Sequence, residues 1–474
     1  MSSGGNTTTV YGGDEISAII LDPGSYNTRI GYAGDDFPKV TTSSFYGQLG
    51  NGKKIFGEDL NVPRSDCEIK PILKDSIITD WDAAIDQYKY YFEDTLKVDY
   101  KDQPILITEP IWTELPYRQK LIETFYENFD FAGLYLAKAP TCISFQQGRP
   151  NCLVVDIGHD TTSVTPVIDG ICLIKNSMRT NYAGRFLGDQ IKDFIYSRDP
   201  KISVEPTYKV KTKTPTVYPD PAQYTTKGSL PDTTESFNKF QQQRILHEFK
   251  ETALEVPERK LNSTNQQQAL SIKEFYSQDS HKRLFEFPTG QSISLGLERF
   301  QFAESIFDPK IYKFSDDKIA KSYPANNGEI KMTSHFNEYR PLKRIRKPES
   351  NQSTPAPGEG DDASEKVRGL SHLITHTLST IDIDLRASVA HNIIVTGGVS
   401  LIPQLIERLY NELSNSNPGL KIRLHAVGNS SERVNQAWIG GSVLASLGTF
   451  HQMWVTKHEY NEAGPDRILN QRFR

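Results

Sequence analysis

Short apolar runs that end in a turn recur along the chain. The runs IILDPG, PILIT, CLVVDIG and NIIVTGG begin at Ile19, Pro104, Cys152 and Asn392. Each has the length of a strand and is rich in β-branched residues, and amphipathic helical stretches follow several of them. The pattern predicts an α/β fold in which strands, turns and helices alternate.

Two of these runs, at 19–24 and 153–158, form a half-repeat. Each places an Asp-x-Gly after the apolar stretch, at Asp22 and Asp156, and each has a threonine six residues past its aspartate. Similar hairpins within one chain indicate two similar domains.

Such a hairpin offers two kinds of contact to a polyphosphate. The backbone N–H groups of the turn can point at phosphate oxygens, and glycine lets the main chain approach closely. The aspartate supplies a carboxylate for a hydrated Mg²⁺, which one or two carboxylates hold together with phosphates. A single Asp-x-Gly is usually only a turn. Two of them, with the bare backbone of Gly397-Gly398 after a third strand, favour a nucleotide site between two domains.

Three segments are poor in apolar residues and predict flexible regions outside the packed core. They are a tail over residues 1–10 and two hydrophilic insertions over 199–235 and 316–365. The first insertion is rich in Pro, Thr and Ser, and the second carries ESNQSTPAPGEGDDASE.

The composition disfavours several classes of protein. The 474 residues carry 54 Lys and Arg against 59 Asp and Glu, a net charge of −5, which disfavours a dedicated DNA-binding domain. No apolar run approaches the roughly 18 residues that span a bilayer, and no signal peptide is visible, so we expect no membrane contact. The four cysteines form no C-x-x-C pair and predict reduced, intracellular core residues.

Several longer motifs resemble actin and the actin-related proteins. They cover nearly the whole chain outside the insertions and include DPGSYNTRIGYAGDDFP, NCLVVDIGHDTTSVTPVIDG, NYAGRFLGDQI, HNIIVTGGVSLIP and WIGGSVLASLGTFHQMWVTKHEYNEAGP. The resemblance implies an actin-like ATPase fold, with two similar domains, divided into four subdomains, around a nucleotide cleft. Residues 11–150 with 436–474 would form the first half, and residues 151–435 the second.

The motifs align this chain with the nucleotide site of the family. The resemblance therefore implies ATP and a hydrated Mg²⁺ as cofactors. Asp22 and Asp156 would hold the metal, and Arg29 replaces the family's phosphate-contacting lysine while keeping its charge. His159 could sense the nucleotide's charge or act as a structural hydrogen-bonding residue. The residues implied for cofactor binding are Asp22, Gly24, Ser25, Tyr26, Arg29, Asp156, Gly158, His159, Asp160, Thr161, Gly184, Lys250, Glu251, Gly397, Gly398 and Val399.

The resemblance also implies absent or very slow hydrolysis. Actin places a glutamine and a histidine around the attacking water, but Ala139 and Ser163 stand at these positions, and Val434 replaces the family's lysine over the adenine. Phosphoryl transfer depends on positioning that water. We therefore expect a structurally bound ATP and no enzyme activity; an active ATPase or small-molecule kinase of the same fold is the alternative.

The motifs are most similar to those of nuclear actin-related proteins. This implies a nuclear, non-polymerising subunit of histone acetyltransferase and chromatin-remodelling complexes. Such a subunit pairs with actin along an amphipathic scaffold helix and helps to engage histones and nucleosomes. The segment between Ser43 and Ile72 is shorter than the matching actin segment, which disfavours the repeating contact that a filament needs.

Two further features bear on partners. The stretch 340–348 packs five basic residues into nine, which indicates a nuclear import signal or a weak contact to DNA, with a solvated linker as the alternative. Near the carboxyl terminus, Phe450, Met453, Trp454 and Tyr460 match the region of actins that borders a groove for partner helices. We expect the scaffold helix to bind there.

Overall fold

The computed structural model of the chain describes residues 17–262, 266–323 and 367–473. Strands and helices alternate along these ranges. The strands are β1 (Ile19–Pro23), β2 (Asn27–Tyr32), β3 (Val40–Ser43), β4 (Phe45–Gln48), β5 (Lys54–Ile55), β6 (Glu68–Pro71), β7 (Leu73–Lys74), β8 (Ile77–Ile78), β9 (Pro104–Glu109), β10 (Gly133–Lys138), β11 (Cys152–Ile157), β12 (Thr162–Ile168), β13 (Ile171–Cys172), β14 (Met178–Thr180), β15 (Val210–Thr214), β16 (Thr216–Val217), β17 (Gln223–Thr226), β18 (Arg283–Glu286), β19 (Gln291–Leu295), β20 (Ile393–Thr396), β21 (Leu424–His425) and β22 (Val455–Thr456).

The helices are α1 (Trp81–Lys89), α2 (Leu115–Glu123), α3 (Ala139–Gln146), α4 (Gly184–Tyr196), α5 (Glu235–Ala253), α6 (Gln266–Tyr276), α7 (Leu297–Glu304), α8 (Asp317–Lys321), α9 (Leu370–Thr380), α10 (Ile383–Ala390), α11 (Leu405–Ser416), α12 (Ser430–Val434), α13 (Gln436–Ala445) and α14 (Lys457–Arg472). Among these described helices, none combines the length and the apolar composition needed to cross a bilayer.

The two largest sheets share one plan. Their strand orders are β22-β10-β9-β1-β2-β3 and β13-β12-β11-β20-β21, and β14 also pairs with β12. In each, an antiparallel hairpin, β1–β2 or β11–β12, pairs through its first strand in parallel with a later strand, β9 or β20. The shared plan confirms the predicted α/β, actin-like fold. We call residues 17–150 with 436–473 the first half, and residues 151–435 the second half.

Each half has its own apolar core around its sheet. The core of the first half includes Leu21, Ile107 and Phe125, and that of the second includes Val155 and Ile393. Central strands such as β1 are buried along their whole length, because β1 lies inside its sheet, between β9 and β2, and is covered by packed side chains and by α13. This explains why their sequences read as continuous apolar runs.

Helices α3 and α13 of the first half cross beside the second half, whose strands β11 and β12 contact α3. Gly440 on α13 lies so close to α3 that a Cβ atom would come 1.9 Å from the carbonyl oxygen of Cys142. The indole of the fully buried Trp438 donates a hydrogen bond of 3.2 Å to the carbonyl oxygen of Ile20. Both helices contribute residues to the cavity between the halves, so this crossing forms its floor.

The first hydrophilic insertion differs from the expectation of a flexible segment. Within residues 199–235 the chain forms β15, β16 and β17, and β16 pairs in parallel with β19. Threonine, valine and tyrosine favour strands, even in a segment that buries little apolar surface. Of the second insertion the structure describes only 316–323, where α8 lies. The remainder, the 1–10 tail and the basic stretch 340–348 lie outside the described residues.

Candidate nucleotide-binding site

A cavity of about 610 Å³ lies between the two halves. Its size falls within the roughly 300–1,000 Å³ of small-molecule pockets. Every residue predicted for cofactor binding lines this cavity: the turns of both hairpins, Gly184 on α4, Lys250 and Glu251 on α5, and the turn 397–399 after β20. The fold therefore brings together residues that are widely separated in sequence, and their role in binding stays a prediction.

The two hairpin turns have the same local backbone structure. In both, the amide of the glycine two residues past the aspartate donates to the carbonyl oxygen three positions later, over 3.1 Å at Gly24 and 2.9 Å at Gly158. The threonine six residues past the aspartate, Thr28 or Thr162, is buried in both, and its hydroxyl makes a hydrogen bond outside the turn. The half-repeat of the sequence is thus a repeat of backbone structure.

The two aspartates of these hairpins face different charges. Asp22 accepts hydrogen bonds from Thr108 and from Arg29, whose Nη1 lies 3.1 Å from its Oδ2. Asp156 has Ser163 at the corresponding position of its own hairpin. The pKa of Asp156 is raised to about 6: desolvation in the cleft is the largest cause, the charge of nearby Asp22 adds to it, and Arg29 opposes both. A poorly compensated carboxylate beside a second one fits a divalent cation.

The guanidinium of Arg29 is fixed from two sides. Besides its pairing with Asp22, its Nε donates a hydrogen bond of 2.6 Å to Oδ1 of Asn435, at the start of α13. A guanidinium held in this way can present its remaining N–H groups to phosphate in a fixed orientation. No sequence pattern pointed to Asn435, because the contact joins positions 406 residues apart.

The glycine turn after β20 requires its first glycine. Gly397 has a φ of +89°, and a Cβ there would come 2.6 Å from Oδ1 of Asp156 and 2.4 Å from the carbonyl oxygen of Ile157. A Cβ at Gly398 would meet no atom within 4 Å. Gly397 therefore allows the close approach of the turn to the second hairpin, and the pair leaves bare backbone at the cavity wall.

Three aromatic rings contact one another across the cavity. Tyr26 of the first half lies between His159 and His247 of the second, with ring centroids 4.9 and 4.8 Å apart. Desolvation, and then the charges of Lys250 and Arg185, hold the pKa of His159 well below its usual value. A neutral ring in contact with Tyr26 fits the structural role of His159 better than charge sensing. His247 was not among the predicted site residues. It precedes Lys250 by three positions on α5 and thus shares its helix face, which is the signal that could have identified it.

Ionised groups also line the rim of the cavity. Lys250 donates a hydrogen bond of 3.0 Å to the carbonyl oxygen of Gly184, and desolvation lowers its pKa to about 8. Asp160 forms an ion pair of 2.6 Å with Arg185 and accepts a hydrogen bond of 2.9 Å from the amide of Asp75. The bond to Asp75 crosses between the halves, so the second hairpin turn is tied directly to the first half.

The carboxyl-terminal aromatic residues do not form the predicted docking surface. Phe450, Trp454 and Tyr460 are buried, while Met453 is 44% exposed. The expectation was wrong for the three buried rings, because they pack within the first half. Phe450 contacts Trp454 at 5.1 Å between centroids, and Tyr460 stacks on Tyr126 at 4.5 Å.

Comparison with known proteins identifies the family. The family model described as Actin matches residues 13–474. The chain is 65% identical to Actin-related protein 4 of Debaryomyces hansenii, over 100% of both chains, and 65% identical to that of Candida albicans, over 99% of both. It is 38% identical to Actin-related protein 4 of Saccharomyces cerevisiae, over 98% of this chain and 99% of that protein. The chain therefore belongs to the actin family, as an actin-related protein.

Proposed function

We propose that the chain binds ATP with Mg²⁺ in this cleft as a structural ligand and acts as a non-polymerising subunit of nuclear histone acetyltransferase and chromatin-remodelling complexes. The observation that carries the proposal is the pair of equivalent hairpin turns facing one cavity between the halves. A ligand bound there contacts both halves at once and stabilises the folded chain by mass action.

The residues around the cavity fit a magnesium nucleotide. Asp22 and Asp156 would hold the hydrated cation, which one or two carboxylates commonly bind together with phosphates. The backbone of both turns and the fixed guanidinium of Arg29 would hold the phosphates. The bare backbone at Gly397 leaves room for a flat ring. When bound, the magnesium nucleotide supplies positive charge beside the two carboxylates and a bridge between the halves.

The cavity wall supports binding without turnover. Ala139 and Ser163 line the cavity at the positions where actin carries the glutamine and histidine that orient the attacking water. Alanine offers no hydrogen bond to a water, and the serine hydroxyl reaches less far than an imidazole. Val434 also lines the cavity and offers no charge to it. The loss of water positioning lowers a phosphoryl-transfer rate by orders of magnitude.

Nucleotide content and turnover test this part of the proposal. We expect the purified full chain to retain about one ATP per chain, and to release no γ-phosphate above background in a single-turnover assay. The double variant Ala139→Gln, Ser163→His restores both polar groups and serves as the matched comparison. Turnover by the unchanged chain near that of filamentous actin would favour the alternative, an active ATPase. A chain that binds no nucleotide would contradict the proposal.

An exposed apolar patch supports docking of the scaffold helix. It consists of Phe145 on α3, Val443 on α13, and Leu447 and Met453 just after α13, which are 41%, 43%, 41% and 44% exposed. Because α3 packs against α13, an amphipathic helix lying along this pair could bury these side chains. The similarity to nuclear actin-related proteins supports the nuclear location, the pairing with actin and the contact with histones and nucleosomes.

Affinity purification tests the partners. We expect the tagged chain to recover actin, together with acetyltransferase or remodeller subunits, from nuclear extract at moderate salt. Leu447→Asp is expected to abolish this recovery. Ile383→Asp is the control, because Ile383 is 75% exposed on α10 of the second half, outside the patch. Recovery of the chain alone, or as a self-polymer, would overturn the scaffold function, and equal losses in both variants would contradict the assigned surface.

A further inference from the structure

A second cavity lies on the second half, away from the nucleotide cleft. It is a groove of about 710 Å³ between α11 and the segment 421–424 that leads into β21, and His391, just after α10, also lines it. We call it the β21 groove. No described residue lines both this groove and the cavity between the halves. A ligand of the groove therefore does not compete directly with a nucleotide.

The groove runs along an open edge of the second sheet. Among the described strands, β21 is the last of its sheet and pairs only with β20. The backbone of Arg423 is engaged on the β20 side: its carbonyl oxygen accepts from the amide of Ile393 over 3.1 Å, and its amide donates to the carbonyl oxygen of Ala390 over 3.2 Å. Neighbouring residues of a strand direct their backbone groups to opposite sides, so those of Leu424 point to the open edge. Such an edge is a template for another strand.

The side chains along this edge alternate in character. Ile422 is buried and Leu424 is half-buried, and both pack against the core of the second half. Lys421 and Arg423 alternate with them in sequence and are exposed. Successive side chains of a strand point to opposite faces, so one face of the edge is apolar and the other is cationic. A strand that binds here should therefore alternate apolar and acidic residues.

The polar groups of the groove are unused within the described part of the chain. The side chains of Lys421, Arg423 and Tyr410 form no hydrogen bond or ion pair with another described residue, and Tyr410 is 47% exposed. Nδ1 of His391 is buried without a hydrogen-bond partner among the same residues. Glu407 is the single acidic side chain among the described residues of the lining. Cationic and hydrogen-bonding groups without partners fit an anionic ligand.

We propose that the β21 groove binds an extended acidic peptide of a partner protein, which adds to the sheet as a strand beside β21. The peptide backbone would pair with the open edge at Leu424, its carboxylates with Lys421 and Arg423, and its apolar side chains would pack against Leu424 and Tyr410. Backbone pairing gives such a contact its affinity, and alternate side chains give its specificity. The site goes beyond the proposed function, because it needs neither the nucleotide nor the exposed apolar patch.

Binding of a designed peptide to the full chain tests the proposal. The probe is a fluorescein-labelled peptide of about nine residues in which glutamate and valine alternate, and fluorescence anisotropy follows its binding at about 0.15 M salt, where distant charges are screened. We expect Lys421→Glu and Arg423→Glu each to weaken the affinity about tenfold or more, because each places a like charge opposite a glutamate. The matched control is Lys211→Glu, which makes the same charge change at an exposed position of β15. Its affinity should stay within about twofold of the unchanged chain.

Backbone-modified peptides separate strand addition from a simple charge contact. One peptide is N-methylated on its valines and another on its glutamates, so both keep every charge. Because only one set of amides faces β21, we expect one methylated peptide to bind about tenfold more weakly than the other. Amide hydrogen exchange of residues 421–425 should also slow when the unmodified peptide binds.

The contrary outcomes are distinct from one another. Equal affinities of the two methylated peptides would overturn strand addition and leave a contact with anions of any shape. Equal losses in Lys211→Glu and Lys421→Glu would overturn the assigned site, because net charge would then explain them. An unchanged chain that binds no peptide at about 1 mM would overturn the proposal as a whole. Nucleotide content of the same preparation is measured separately, so none of these results bears on the nucleotide cleft.

Discussion

The poorly compensated carboxylate of Asp156 predicts a specific dependence of stability on pH. Its pKa is raised from 3.8 to about 6 in the folded chain, mainly by desolvation. The folded state therefore holds this proton more tightly than the unfolded state does. The tighter binding of the Asp156 proton in the folded state stabilises the fold. This stabilisation is fully present below about pH 4 and is lost as the pH rises through 6. Asp156→Asn removes this loss, because an amide of the same shape carries no charge at any of these pH values.

The magnitude follows from the size of the shift. About two pKa units at roughly 1.4 kcal/mol each give an upper value of about 3 kcal/mol. The side chain is still reached by water from the cavity, which screens the effect, so we expect about 1–3 kcal/mol. The nucleotide-free Asp156→Asn variant should match the unchanged chain near pH 4 and be more stable by this amount at pH 7. Thermal denaturation followed by circular dichroism across this range measures the difference.

The matched comparison is Asp22→Asn, because Asp22 already pairs with Arg29. That variant should lose stability at pH 7, since it removes a satisfied carboxylate. Addition of MgATP should reduce the difference in stability between Asp156→Asn and the unchanged chain at pH 7, because the bound cation compensates the Asp156 carboxylate of the unchanged chain. A stability difference that is the same at pH 4 and pH 7 would refute the electrostatic reasoning.

Three further predictions address the glycine turn, a buried ion network and the fixed guanidinium. Gly397→Ala should destabilise the chain by about 1–3 kcal/mol in thermal unfolding, because the added Cβ causes a steric conflict at a φ of +89°. The control, Gly398→Ala, should change the free energy of unfolding by less than about 1 kcal/mol. Arg408→Ala should cost about 3–5 kcal/mol, because buried Glu304 loses its counter-charge and buried Glu412 keeps the more distant Lys260, at 3.7 Å, in place of Arg408. A smaller cost in urea unfolding would contradict this. Asn435→Ala should weaken ATP binding roughly tenfold by releasing Arg29, without a comparable loss of melting temperature; calorimetric titration checks the affinity.

Local sequence signals were sufficient for the parts of the site that depend on local structure. The Asp-x-Gly turns at Asp22 and Asp156 are built from neighbouring residues, and the burial of Thr28 and Thr162 follows from the same short hairpins. The apolar runs before them are long enough to identify central strands. Fold class and the position of the cavity were therefore accessible from the chain alone.

Contacts between distant segments were not accessible in this way. Two such contacts are the hydrogen bond from Arg29 to Asn435 and the stacking of Tyr26 on His247. Both depend on how α13 and α5 pack, and no residue pattern near the partners encodes that packing. The first insertion also contains a contact that local sequence does not reveal. Its low apolar content indicated flexibility, whereas β16 gains its partner β19 from a part of the chain more than 70 residues away.

Two otherwise equivalent hairpins differ in how their aspartates are compensated, and this difference bears on the ligand proposed for the cleft. The first hairpin compensates Asp22 from within, through Arg29, while the second places Ser163 at the matching position and leaves Asp156 dependent on its surroundings. Desolvation of Asp156 therefore places an electrostatic cost at the boundary between the halves, where the second hairpin turn is tied to the first half through Asp160 and Asp75. A cation with phosphates at this place would remove the cost and contact both halves. This combination favours a ligand that stabilises the fold by contacting both halves, and such a ligand needs no catalytic residues.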